Sequence, residues 1–102
     1  KNTRWHNESF RAYADYMETD DFEKGIAQLI AIAEEETTAY MCAEALWWRC
    51  HRSMISDYLK AKGWEVEHIM AIDKEEPHSY TAPASIIGDK VVYYDEGTLL
   101  DL

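Results

Sequence analysis

The apolar residues of this chain recur first with a helical period. Phe10, Tyr13, Ala14 and Met17 return at steps of three and four, and Asn7 stands where an N-cap is wanted, so a short first helix is predicted. The same period over Phe22, Ile26, Leu29, Ile30 and Ala33 predicts a second helix from Asp20, with Glu23 three residues on completing a capping-box pattern. Gly25 inside it costs about 1 kcal/mol relative to alanine. The acidic run at 34–36 reads as a solvated helix end.

The pattern then shortens. Residues 37–42 read as a buried strand, followed by a loop through Trp47 and Trp48. A helix from Arg49 or Cys50 to Lys62 comes next, with Gly63 as its stop, and then a strand over 65–70. A strand, helix, strand unit predicts two parallel strands joined by a right-handed crossover. A polar loop with Pro77 and His78 leads to a short helix over 83–87, ended by Gly88, and a last strand over 90–94. The expected fold class is α/β, a small three-layer-like domain with a short, mainly parallel sheet and flanking helices. Three strands are few for a parallel sheet, which is normally covered on both faces. An open edge is therefore expected, to be covered by a second copy of the chain or by a companion chain.

The chain has 102 residues, 47% of them hydrophobic, which matches a single domain over 1–102 that closes its core without metals or disulfides. No apolar run approaches the ~20 residues of a membrane span and no signal segment opens the chain, so no membrane association is expected. The net charge of −10 works against general nucleic-acid binding, which needs a surplus of Lys and Arg. Two cysteines, Cys42 and Cys50, are the sparse usage of a reducing compartment. A cytoplasmic location and free thiols at rest are expected. The chain starts at Lys1 and not at a methionine, so a piece of a longer protein is expected.

Ligands of parallel sheets collect beyond the carboxyl ends of the strands. The predicted topology brings Cys42, Arg49, Cys50, Arg52 and His78 to one rim. Cys50 falls in the first turn of a helix, where backbone N–H groups and nearby arginines favour a thiolate or a bound anion. Cys50 is thus a candidate nucleophile, Cys42 a resolving thiol and His78 a general acid or base. Arg49 and Arg52 would hold a small anionic substrate, and Trp47 and Trp48 would wall its pocket. His51 falls with Ile55, Tyr58 and Leu59 on the helical wheel and His68 lies within a strand, so both are expected to be structural.

The same residues also fit a non-catalytic binding module with packed cysteines. A small Cys/His metal domain is the third reading, but seven residues between the cysteines is wide for a zinc pair, and no metal site is assigned. No glycine-rich phosphate loop, G-x-S-x-G elbow or H-E-x-x-H segment occurs, and no cofactor is expected.

The string Met41-Cys42-Ala43-Glu44-Ala45-Leu46-Trp47-Trp48-Arg49-Cys50-His51-Arg52 resembles the signature of the domain-of-unknown-function 488 family, DUF488. The resemblance continues through Ile55, Asp57, Tyr58, Leu59 and Gly63 to residues 66–69. It starts upstream at Trp5, Asn7, Phe10, Arg11 and residues 13–17, covers nearly the whole chain and weakens after Lys74. It implies an α/β domain of a mostly uncharacterised bacterial and archaeal family whose paired cysteines point to an enzyme. It further implies that this chain is the C-terminal portion of the family domain, without its N-terminal strands and a histidine-serine-containing segment. What it transfers is the Cys42, Cys50, His51 and Arg52 motif.

Overall fold

The computed structural model describes residues 2–40, 50–71 and 73–94. Helix α1 (Glu8–Tyr16) begins as its spacing predicts: the Asn7 side chain accepts hydrogen bonds from the N–H groups of Ser9 and Phe10 at 2.9 and 3.2 Å. Helix α2 (Asp20–Glu35) is capped one residue earlier than expected, by Thr19, whose hydroxyl accepts from the Phe22 N–H at 3.3 Å. Helix α3 (Arg52–Ala61) starts later than predicted, with His51 as an N-cap that makes no side-chain capping bond. It ends in a Schellman turn: Gly63 adopts φ 96°, its N–H bonds Lys60 O at 3.0 Å and the Trp64 N–H bonds Leu59 O at 3.0 Å.

Among the described residues no parallel strand pair is formed, and both sheets are antiparallel. Residues 37–40 make no strand, and the rest of that predicted strand lies outside the described residues. A short apolar run cannot by itself distinguish a strand from other buried backbone. Tyr40 is instead held by its hydroxyl, 2.6 Å from Ser56 Oγ on α3. Strand β1 (Glu67–Ala71) pairs antiparallel with β2 (Lys74–Pro77), inside what the sequence reading took for a loop. Asp73, at φ 60°, supplies the tight turn, and closing so short a loop costs less chain entropy than a crossover.

The predicted helix over 83–87 is also absent. Its β-branched pair Ile86 and Ile87 lies in β3 (Ser85–Ile87), antiparallel to β4 (Lys90–Val92) across a Gly88-Asp89 turn. Gly88, at φ 63°, is a hairpin residue and not a helix stop.

The described chain is therefore α/β with three helices and two small antiparallel sheets. Its core is mostly helical: Phe10, Ala14 and Met17 meet Phe22 and Ile26 of α2, Met54 and Leu59 of α3, and Tyr93 just beyond β4. Two-stranded hairpins are marginal alone and depend on such packing. No helix among the described residues is long and apolar enough to cross a membrane.

Candidate functional site

Helix α3 turns a polar face inward. Ser53, Ser56 and Asp57 are 0% exposed beside Met54 and Leu59. A carboxylate sealed in this way is expensive unless every lone pair is engaged. Asp57 meets that demand with four bonds. Its Oδ1 accepts from His78 Nε2 at 2.7 Å and from the Thr81 N–H at 3.0 Å. Its Oδ2 accepts from Thr81 Oγ1 at 2.6 Å and from the Tyr93 hydroxyl at 2.8 Å. Burial first, and then the Asp57 charge, raises the Tyr93 pKa far above its ordinary value, so Tyr93 stays protonated as a donor.

A second imidazole extends this network. His68 Nε2 lies 2.7 Å from His78 Nδ1, with both rings buried. Since the Asp57 carboxylate accepts, His78 Nε2 is the donor of that bond, and His78 Nδ1 shares the remaining one with His68 Nε2. Burial, His78 and Arg52 lower the His68 pKa to about 4, against smaller opposing effects from Glu76 and Asp57. The His78 backbone is fixed as well: its N–H bonds Val66 O at 2.8 Å and its carbonyl accepts from Lys60 Nζ at 2.8 Å.

His68 also lines a cavity of about 420 Å³ between α2, the segment carrying Tyr40, α3 and β1. Leu29, Ile30, Leu59, Val66 and Met70 make most of its wall apolar, and Arg52 brings a cation to it. Glu65 and Glu67 stand on the β1 side. Glu67 has a raised pKa because it shares a hydrogen bond with Glu75 across the hairpin and feels that carboxyl's charge.

At the start of α3, Cys50 is half-buried and disulfide-bonded, which corrects the expectation of a free thiol at rest. The chain holds one other cysteine, Cys42, outside the described residues. Cys50 Sγ accepts the Arg52 N–H at 3.3 Å, and Cys50 O accepts from the N–H and hydroxyl of Ser53 at 3.0 and 2.8 Å. Next to it, His51 stacks on Tyr13 with centroids 4.5 Å apart and lies 3.0 Å by Nε2 from Ser9 Oγ. Burial lowers its pKa.

The structure thus divides the expected constellation. Cys50 and Arg52 are adjacent at the helix start, whereas Cys42, Trp47, Trp48 and Arg49 lie outside the described residues. His78 does not stand on an open rim: it is 2% exposed and bonded to Asp57. The rim depends on parallel strands, and none is formed among the described residues. Among the described residues, no group of three His, Cys, Asp or Glu side chains is placed to hold a metal ion.

Sequence reading missed Asp57, Thr81 and Tyr93 as partners. The helical wheel puts the apolar stripe over His51, Ile55, Tyr58 and Leu59, whereas the inner face carries two serines and an aspartate, which leave no hydrophobic period. The available signal was the charge of Asp57 three residues from Met54, on the same side of the helix.

No curated protein and no solved structure matches the chain. A family model, "Domain of unknown function DUF488", matches residues 1–59. The match is to the N-terminal part of this chain and ends within α3. It therefore narrows the near-complete coverage expected from the sequence, and the C-terminal-portion assignment is not borne out.

Proposed function

The chain belongs to the DUF488 family, and from that premise we propose a thiol-dependent activity centred on Cys50, acting on a small anionic substrate. The supporting observation is the bond from the Arg52 N–H to Cys50 Sγ, at the start of a helix that has no side-chain cap. A neutral sulfur is a weak acceptor, but a thiolate at that place gains a charge-assisted bond, the helix dipole and a nearby guanidinium.

In this reading the disulfide is the resting form and a dithiol reductant opens it. One reductant thiolate attacks a sulfur of the disulfide, breaking that bond as a mixed disulfide forms. The second reductant thiol then closes on the first and releases the remaining cysteine sulfur, so two electrons pass to the protein. Cys50 is the freed nucleophile, Cys42 the resolving thiol, and Arg52 with Arg49 the anion holder. His78 serves from within, through its bond to Asp57, and not as a base in contact with substrate.

The test is iodoacetamide labelling of the reduced protein across pH. Cys50 should show an inflection at least one unit below the ~8.5 of a free cysteine. A normal titration at both cysteines overturns the proposal.

A second reading is favoured by the cavity: a binding module that needs no thiol chemistry. There, ligand binding survives in the Cys42→Ser, Cys50→Ser double variant, while no low thiol pKa is found.

A further inference from the structure

We propose that the cavity between α2, α3 and β1 binds a small apolar amine, with its hydrocarbon body against the apolar wall and its ammonium group at Glu65 and Glu67. This names a ligand class for the binding-module reading and rests on that reading. It requires no thiol chemistry and uses neither Arg52 nor His68 as a partner.

The body of the ligand follows from the cavity's volume and wall. About 420 Å³ is the size of a small-molecule site, and Leu29, Ile30, Leu59, Val66 and Met70 favour a hydrocarbon over a sugar or a bare inorganic ion. These side chains come from α2, α3, β1 and the residue just before β1. The pocket is therefore a product of tertiary packing, and its shape does not depend on one side chain.

The sign of the head group follows from the charges on the β1 side. Glu65 and Glu67 both line the cavity and both are exposed, so they stand at its mouth. Glu75 on β2 reaches Glu67 across the hairpin: a hydrogen bond shared with it, then its charge, and further down the charge of Glu65 raise the Glu67 pKa. Among the described residues no lysine or arginine forms an ion pair with any of these three carboxyls. Acidic groups crowded in this way repel an entering anion and are relieved by a cation. A primary ammonium, with three N–H donors, can serve two carboxylates at once. Trp64, next to Glu65 in the chain, adds an aromatic wall residue, a kind of surface that accepts a cation and not an anion.

Arg52 also belongs to the wall, but it carries interactions of its own. Its charge bears on Tyr40 and His68 and is not among the influences on Glu67. The ammonium is therefore assigned to the β1 side, apart from the anion site proposed at the start of α3.

Calorimetric titration at neutral pH and low salt with cyclohexylmethylamine, cyclohexylmethanol and cyclohexanecarboxylate tests this, because the three share one ring and differ in charge. The amine should bind about fivefold or more tightly than the alcohol, and the carboxylate more weakly than either. The margin over the alcohol should shrink towards unity in ~0.5 M sodium chloride, which screens exposed charges. The Glu65→Gln, Glu67→Gln double variant changes exposed positions only, and should lose the margin while keeping the alcohol affinity. Ala33→Phe, which extends a ring from α2 into the cavity, should weaken all three ligands.

Failure of the amine to bind folded protein overturns the proposal, and so does amine binding that Ala33→Phe leaves unchanged. Equal affinity for amine and alcohol, or a margin that survives in the double glutamine variant, removes the amine assignment and leaves a binding module for neutral ligands. Repeating the titration on the Cys42→Ser, Cys50→Ser variant separates this site from the thiol proposal. Intact amine binding there, together with a normal thiol titration in the native protein, removes the thiol activity alone. A depressed thiol pKa with no amine binding removes this inference alone.

Discussion

The start of α3 and its middle turns answer opposite demands with the same kinds of group. At the start, a half-buried sulfur takes the Arg52 N–H and the N-cap residue His51 contributes no capping bond. One to two turns on, Asp57 is sealed from solvent and takes four donors from the 78–81 loop and Tyr93. A sulfur that is still partly exposed can change its bonds at modest cost. A sealed carboxylate cannot, because each donor withdrawn leaves an unpaired group in the interior. Reactivity is therefore expected at the first place and rigidity at the second, with the His68 ring as the point where the rigid network meets the cavity.

The largest effect should come from breaking the sealed end. Asp57→Ala strands the donors of His78, Thr81 and Tyr93, and should cost about 3–5 kcal/mol in urea unfolding. A loss below 1 kcal/mol would show that the network is not a structural centre. The open end should be softer. Reduction of the Cys50 disulfide should lower stability by about 2–3 kcal/mol, as expected for a short closed loop, while far-ultraviolet circular dichroism stays native. Loss of the helical signal on reduction would reverse the contrast.

A pH titration sharpens the comparison further. His68 has a folded-state pKa of about 4 against an ordinary 6.5, so the unfolded chain binds more protons between those values. Stability should be full above pH 6.5, fall by on the order of 2 kcal/mol towards pH 4 and then level off, with screening already allowed for. His68→Gln should flatten that window, and an unchanged slope would exclude His68 as its source. The smallest effect is expected from Tyr93→Phe, which removes one of the four donors but keeps the ring in the core. It should cost about 1.5 kcal/mol, measured by thermal unfolding.

Part of this arrangement was legible in the chain. Cys50, Arg52 and the helix that follows them could be placed together from sequence, because the residues are neighbours and the helical period needs no distant partner. His78 could be singled out but not located, since a histidine in a polar stretch reads alike whether it ends in solvent or on a buried aspartate. The sequence places His68 in a strand, but its bond to His78 depends on the β1 to β2 hairpin, which a parallel topology excludes. The Gly88-Asp89 pair was a readable hairpin turn, yet Pro83 and the glycine together imitate the start and stop of a helix.

By itself the sequence determined the three helices, the Asn7 cap, the Gly63 stop and the match of residues 1–59 to the family. Helical hydrogen bonds run four residues back and caps act within three, so the information for them is local. Only the tertiary structure decided which strands pair and what Asp57 is for. Its partners lie 21, 24 and 36 residues away, at His78, Thr81 and Tyr93, and the pairing is enforced by the cost of burying a lone carboxylate and not by any periodic pattern along the chain.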